Sequence, residues 1–404
     1  MNSRRNFLAG VTGAGLWSGF GMPGLSLAAA PVEQRLLMVI LRGGMDGLAA
    51  LAPYADPNYA SMRGKLAIAP PGRDGGAIDL DGRFGLHPAL KPLEPFYQRE
   101  ELLPIHAVAI PLRTRSHFDA QDVLENGSTS AHETPDGWLN RSLALLQSED
   151  RRLGLAVGYA IPAIMRGPVP VASWAPAKLP PSSGNLLDKL ADLYRDDPLF
   201  HKALIEGRRA TAMTANVMGG SNSIARGNLR NPGRFKTLAG AAGRLLASPD
   251  GPRVGVLEMG GWDTHANQGN GSGRLARNLS HLAEGLIQLH ESLGSAWDKT
   301  VVVVVSEFGR TVRINGSGGS DHGTAGAAFL MGGAVAGGRV ATSWPGLLPE
   351  SLFENRDLAP TSDIRALFKT VLRDHFNLNP SDLETRVFPN SSAIKGPPGR
   401  LIKP

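Results

Sequence analysis

The sequence contains no cysteine, which excludes disulfide bonds, thiolate metal ligands and a cysteine nucleophile. Any metal ion would therefore need oxygen and imidazole ligands. The chain also lacks a strong excess of one charge. The sequence has 42 basic and 36 acidic residues. Without the two arginines of an export signal at its start, 40 basic residues remain, an excess of only four. Because no basic run is present either, we expect no nucleic-acid partner.

The remaining composition is that of a folded protein with many loops. Of 404 residues, 42% are hydrophobic and 19% are charged, so the chain can bury a large core as one α/β domain or two smaller ones. The 50 glycines and 30 prolines indicate long, shaped loops around that core. Loops of this kind commonly build functional sites.

Residues 1–30 look like a twin-arginine export signal. Arg4 and Arg5 precede a mildly apolar, glycine-rich stretch, and Ala28–Ala30 supplies small residues for cleavage. A membrane anchor is the alternative, but the glycines and Pro23 make a poor spanning helix. We therefore expect the twin-arginine machinery as an export partner, a periplasmic or secreted protein, and no stable membrane anchor after processing. The mature domain would span residues 31–404.

Short apolar runs alternate with helical patterns, which predicts an α/β fold with a mostly parallel central sheet flanked by helices. Five consecutive valines at 301–305 are typical of a fully buried parallel strand. A helical insertion is expected at about 184–250. Further strands are predicted at 34–41, 103–110, 253–259 and 327–333, and helices at 274–293 and 363–376.

Polar residues follow four of the predicted strands. Open α/β sheets bind ligands beyond the carboxyl ends of their strands, where this chain places Asp46, Ser116 with His117, Asp263 with His265, and Glu307. Each position has an ordinary alternative. Asp46 could cap the helix that follows it, and Ser116 could be a helix N-cap beside solvated arginines. Four such polar clusters, each following a strand at the same edge of the sheet, nevertheless predict a common site.

The segment after the valine strand would add ligands to this edge. Its glycine-rich link at 315–320 can bend back and bring Asp321 and His322 to the same place. The alternative is a surface ion pair between Glu307 and Arg310, with His322 capping a turn. Carboxylates and imidazoles without thiols suit a divalent ion such as Zn, Mn, Mg or Ca, and their number suffices for two ions.

Several motifs resemble one known family. The stretches RGGMDGL, FGLHPALKPL, RSHFDAQD, GGWDTHANQ, SEFGRT and SDHGTAG are similar to the exported domain-of-unknown-function family 1501, which is grouped with the alkaline phosphatase and sulfatase superfamily. The resemblance implies an alkaline phosphatase-like fold. It also implies that Asp46 matches the first metal-binding Asp of the superfamily and that Ser116 stands in place of its nucleophile.

The same resemblance suggests the later metal ligands. Asp263 and His265 resemble the Asp and His pair of the superfamily, although one residue separates them here instead of three. Glu307 takes the place of the final Asp-His motif. His322 then resembles the last isolated histidine ligand, and Asp321 would complete a second site.

Two functional hypotheses follow. The first is an exported metal-dependent hydrolase of phosphate or sulfate esters, with Ser116 as nucleophile and Arg115 or His117 holding the oxyanion. Its metal ligands would be Asp46, Asp263, His265, Glu307, Asp321 and His322. The second is a non-catalytic exported binding or assembly protein on the same fold, which would recognise anionic glycans.

Overall fold

A computed structural model describes residues 32–146, 153–176, 184–197, 200–201, 204, 208 and 228–404. The predicted export signal at 1–30 lies outside these ranges. No helix within them is long and apolar enough to cross a membrane.

The described chain forms a large sheet and a small one. The strands are β1 (Arg35–Leu41), β2 (Leu51–Ala52), β3 (Ile78–Asp79), β4 (Gly85–Leu86), β5 (Leu102–Ala109), β6 (Gly154–Val157), β7 (Ala172–Trp174), β8 (Val254–Met259), β9 (Thr300–Ser306), β10 (Gly326–Met331) and β11 (Ser362–Asp363). Eight of them form one sheet in the order β11-β5-β10-β9-β1-β8-β6-β7, and β2-β4-β3 form the other. Within the large sheet only β10 runs antiparallel to its neighbours, so the predicted mixed α/β class with a mostly parallel sheet is confirmed.

Helices cover both faces of the large sheet. The helices of the described residues are α1 (Gly47–Ala50), α2 (Tyr59–Arg63), α3 (Glu94–Gln98), α4 (His117–Asn126), α5 (Trp138–Leu145), α6 (Gly184–Leu193), α7 (Phe235–Ala247), α8 (Arg274–Leu293), α9 (Ile364–Phe376) and α10 (Pro380–Asp382). Short 3₁₀ or π turns occupy Gly64–Leu66, Pro88–Leu93, Ala163–Met165, Pro232–Arg234, Gly294–Lys299, Pro349–Ser351 and Leu383–Val387.

Alternate residues of β1 enter the cores on opposite faces of the sheet. Leu37 and Val39 pack in the core that contains α7 and α8, whereas Leu36 and Met38 pack in the core that contains α4, α5 and α9. Successive side chains of a strand point to opposite faces, so a strand covered on both faces must be apolar at every position. This explains the unbroken apolar runs by which the sequence predicted the central strands.

The ends of the elements lie close to their predicted positions. Helix α8 has the predicted bounds, and α9 begins one residue late because Asp363 is its N-cap, accepting a hydrogen bond from Arg365 N at 2.9 Å. Much of the predicted insertion at 184–250 lies outside the described residues. Helix α7 falls within that range, yet its apolar face lies in the core beside β8. The insertion itself stays a prediction.

The strands are in a register that brings several loops together. Leu41 pairs with both Met259 and Ser306, so β1, β8 and β9 end at the same level. Because β10 is antiparallel to β9 and β5, it starts at this carboxyl edge and β5 ends there. The loops after β1, β5, β8 and β9 and the loop before β10 therefore meet at one edge.

Candidate metal centre

Three of these loops bring potential metal ligands together. His117 is the first residue of α4, after β5; Asp263 follows β8; and His322 precedes β10. One ligand atom from each lies within 4.8 Å of the other two, and within the described ranges these residues form a group that could hold a metal ion. The Asp263 side chain is 44% exposed, so a ligand from solvent can reach the group.

The first imidazole, His322, is oriented by a backbone carbonyl. Its Nδ1 lies 2.8 Å from the carbonyl oxygen of Arg115, which can only accept, so Nδ1 carries the proton. Its Nε2 then faces Asp263 Oδ1 at 3.2 Å. Burial is the largest influence on this ring and lowers the pKa of His322. The neutral ring, which is the metal-binding form, is therefore favoured.

The second imidazole, His117, is oriented by a carboxylate. Its Nδ1 lies 2.8 Å from Glu307 Oε1, and this hydrogen bond raises the pKa of His117. Its Nε2 lies 3.6 Å from Asp263 Oδ2 and has no hydrogen-bond partner among the described residues. His117 therefore presents a buried, unsatisfied nitrogen to the carboxylate of Asp263.

Glu307 lies behind His117 and is fully buried. Burial alone would raise the pKa of Glu307, but hydrogen bonds from His117, Gln121 and Gly43 N outweigh it and lower the pKa to about 2. Gln121 Nε2 and Gly43 N each lie 2.9 Å from Oε1. Glu307 is thus an ionised acceptor that holds the His117 ring.

A third imidazole, His265, adjoins the group. Its Nδ1 lies 2.9 Å from Asp321 Oδ1, which also accepts a hydrogen bond from Asn315 Nδ2 at 2.9 Å. Its Nε2 lies 3.1 Å from Asp263 Oδ1 and 2.9 Å from His322 Nε2. The Asn315 hydrogen bond is the largest influence on Asp321 and lowers the pKa of its carboxyl. Asp321 is therefore the acceptor behind His265.

The donor set fits a divalent ion such as zinc. Zinc–ligand bonds of about 2.0–2.1 Å in a tetrahedron place ligand atoms about 3.3 Å apart. Asp263 Oδ1 lies 3.1 Å from His265 Nε2 and 3.2 Å from His322 Nε2, and these two nitrogens lie 2.9 Å apart. The other carboxylate oxygen, Asp263 Oδ2, lies 3.6 Å from His117 Nε2. Each ring also gives its Nδ1 proton to a carboxylate or a carbonyl, which is the usual arrangement of metal-binding histidines.

The family comparison bears on the same loops. Residues 208–387 match the family described as protein of unknown function (DUF1501). The match includes Asp263, His265 and His322, whereas His117 and Asp46 lie before it. No curated protein matches the sequence.

A solved structure with some similarity is the C-terminal periplasmic domain of EcEptC from Escherichia coli in complex with Zn. The two chains share 8% identity at a TM-score of 0.36, over 77% of this chain and 76% of that chain. This likeness is too weak to assign a fold family or an activity. The alkaline phosphatase-like assignment therefore stays a prediction that the resemblance implies.

Asp46 was predicted as a metal ligand, but the group of His117, Asp263 and His322 does not include it. Its side chain is fully buried, forms an ion pair with the buried Arg63, and accepts a hydrogen bond from Gln268 Nε2 at 2.6 Å. Arg63 also donates to the carbonyls of Thr311 and Val312. The structure thus joins Asp46 Oδ2 to a buried cation, while Asp46 Oδ1 has no hydrogen-bond partner among the described residues. The role of Asp46 as a metal ligand stays a prediction.

Two predicted catalytic residues before His117 have structural partners. The Arg115 guanidinium donates to Asp357 Oδ2 at 2.8 and 2.9 Å and to Glu354 Oε2 at 2.6 Å, so it points away from the group. Ser116 is the N-cap of α4, and its Oγ accepts from Asp119 N at 3.5 Å. The N-cap alternative is therefore what the structure shows, and a nucleophilic role for Ser116 stays a prediction.

Two residues of the quoted motifs that were not predicted as site residues fix the loops. Arg310 is fully buried and does not pair with Glu307; it donates to Asp263 Oδ1 at 2.6 Å and to the carbonyl of Ser320 at 2.9 Å. Gly43 has φ +122°, and a Cβ there would lie 2.6 Å from Asp263 N. Arg310 and Gly43 stand in the quoted motifs SEFGRT and RGGMDGL, which could have indicated their importance. Their contacts with Asp263, however, depend on the register of the strands.

Proposed function

We propose that the protein is an exported metal-dependent hydrolase of phosphate or sulfate esters. The observation that carries the proposal is the set of imidazole Nε2 atoms around Asp263, each on a ring whose Nδ1 proton is already donated elsewhere. Export is supported by the twin-arginine pattern of residues 1–30.

His117, Asp263 and His322 would hold the metal ion, with His265 as a further ligand. A divalent ion bound there would polarise a phosphoryl or sulfuryl oxygen and lower the pKa of a nearby hydroxyl or water. Zinc is the ion we favour, because three imidazoles and one carboxylate are donors that it commonly takes. Since Asp263 alone among these ligands carries a negative charge, a divalent ion and its ligands would together carry a charge of about +1, which favours contact with an anionic ester.

Ser116 would be the nucleophile. It directly precedes the ligand His117, and the residue is half-buried. It also stands at the N-terminus of the ten-residue α4, where backbone N–H groups and the helix dipole favour an oxyanion. With Arg115 bound to Asp357, the first turn of α4 would hold the anionic group.

The second candidate is an exported protein that binds anionic glycans without turnover. Two contacts favour it. Ser116 caps a helix, and Arg115 is bound to two acids, so both side chains already have roles that require no substrate. In this case the metal centre would recognise a sulfate or phosphate group and leave its ester intact.

The two candidates are separated by turnover of aryl phosphates and aryl sulfates by protein loaded with Zn or Mn. We expect hydrolysis by the wild type, and losses of at least about a hundredfold in kcat for Ser116→Ala and Asp263→Asn. Only Asp263→Asn should also lose metal, and Ser61→Ala, an exposed serine on α2, is the control. Full activity of Ser116→Ala would indicate that a water molecule, and not Ser116, is the nucleophile. No turnover by the loaded wild type, together with metal-dependent binding of sulfated glycans, would favour the second candidate.

A further inference from the structure

The side chain of Gln268 lies between the loops that carry the candidate ligands. With Asp46, Thr264 and Ser320 it forms a set of four fully buried polar side chains, which we call the Gln268 network. The network includes none of the atoms that converge on Asp263.

The hydrogen bonds of the network determine the orientation of the Gln268 amide. The carboxylate of Asp46, paired with Arg63, can only accept, so Gln268 Nε2 donates to it at 2.6 Å. The amide oxygen then accepts from Thr264 Oγ1 at 2.8 Å and from Ser320 Oγ at 2.6 Å. In the reverse orientation two oxygen atoms, each able only to accept, would face each other.

The two hydroxyls belong to the loops with the ligands. Thr264 stands between Asp263 and His265, and Ser320 stands two residues before His322. The backbones of the two loops are joined directly by a hydrogen bond from Ser320 N to the carbonyl of Thr264 at 3.2 Å. The amide of Gln268 thus ties both loops to Asp46, the N-cap of α1 at the end of the loop after β1.

We infer that Gln268 is a positioning residue of the metal centre, an inference that rests on the proposed function. Through Thr264 and Ser320 it sets the separation of the Asp263–His265 segment from His322, and with it the affinity for the metal. Buried networks of this kind are rigid because a lost partner leaves polar groups without water or protein to replace it. Changes behind metal ligands typically weaken metal binding by about 10–100-fold.

The test is the zinc affinity of Gln268→Met, measured by competition with a chromophoric chelator. Asn140→Leu is a matched control, because Asn140 is also a fully buried amide with three hydrogen bonds, and its partners Met165 and Val169 lie outside the network. We expect the dissociation constant of Gln268→Met to rise about 10–100-fold and that of Asn140→Leu to equal the wild-type value. The visible spectrum of the Co(II)-loaded protein should change in Gln268→Met alone.

Two milder variants decide the matter if Gln268→Met does not fold. Thr264→Val and Ser320→Ala each remove one hydroxyl, and each should weaken zinc binding by a smaller factor. Wild-type zinc affinity in every folded variant of the network would overturn the role of Gln268 while leaving the metal centre in place. A wild-type protein that binds no zinc would overturn the metal centre and this role with it.

Discussion

His265 and His322 face each other through their Nε2 atoms at 2.9 Å, although each ring already donates its Nδ1 proton to another group. Asp321 and the Arg115 carbonyl can only accept, so two neutral rings would point lone pairs at each other. Either a second proton on one ring or a cation shared by both relieves this repulsion. The nearby carboxylate of Asp263 favours a cation in either form.

Zinc binding should therefore depend on these rings. We expect chelator-treated wild type to bind zinc, and His322→Ala and Asp263→Ala to lose more affinity than the 10–100-fold typical of changes behind the ligands. Isothermal titration calorimetry would measure the dissociation constant for zinc. His281→Ala is the control, because His281 lies on α8 beside Glu284 and outside the group. Equal zinc in wild type and both ligand variants would contradict the site.

Glu307 should strengthen zinc binding without being a ligand. In Glu307→Gln the His117 ring loses an ionised acceptor and becomes less basic, so we expect zinc affinity to fall by about 10–100-fold. The same titration measures the change, with Glu384→Gln, whose carboxylate pairs with Lys369, as control. A loss as large as that of Asp263→Ala would instead indicate that Glu307 binds the ion.

Loss of the Asp46 carboxylate should lower the stability of the protein. Asp46→Ala leaves the fully buried guanidinium of Arg63 without its carboxylate, and breaking a buried pair in this way costs about 3–5 kcal/mol. The double variant Asp46→Leu with Arg63→Met should recover much of the loss. Urea unfolding in the presence of a chelator measures both. An unchanged free energy of unfolding with complete loss of zinc would make Asp46 a ligand after all.

His375 should make the metal-free protein sensitive to acid. Burial lowers the pKa of His375 to about 4, and its Nε2 donates to the carbonyl of Arg35 at 3.0 Å. The unfolded chain therefore binds the proton first, and stability present above pH 6.5 is lost as the pH falls towards 4. Between pH 7 and 5 this loss is about 2 kcal/mol.

In His375→Gln this part of the pH dependence should vanish, because the amide keeps the hydrogen bond and does not titrate. Urea unfolding of chelator-treated protein at both pH values provides the measurement. His132→Gln, at a side chain that is 83% exposed, should behave as wild type. Parallel pH profiles for wild type and His375→Gln would show that His375 does not cause the effect.

Much of the fold could be predicted because a strand that is buried on both faces has an unbroken run of apolar residues in the sequence. The valines of β9 and the residues of β1 are such runs, and the amphipathic pattern of α8 marks both ends of that helix. The polar clusters after the strands were predicted by the same reasoning, since the carboxyl ends of parallel strands meet at one edge.

The roles of the residues at that edge could not be predicted from local pattern. Asp46 and Asp263 both follow strands, yet one pairs with Arg63 inside the protein and the other lies among imidazoles in a solvent-accessible group. His117 was expected to hold an oxyanion, but it presents a buried Nε2 because Glu307 binds its Nδ1.

The sequence by itself determined the parallel core, the supply of carboxylates and imidazoles, the exclusion of thiolates and the loops in which the site residues stand. Those properties follow from composition and from short-range periodicity. The tertiary structure alone decided which side chains converge, which stand behind them and which ring nitrogen is free. Such choices depend on contacts at a few ångströms between residues that lie far apart in the sequence, such as Gly43 and Glu307, which are 264 positions apart.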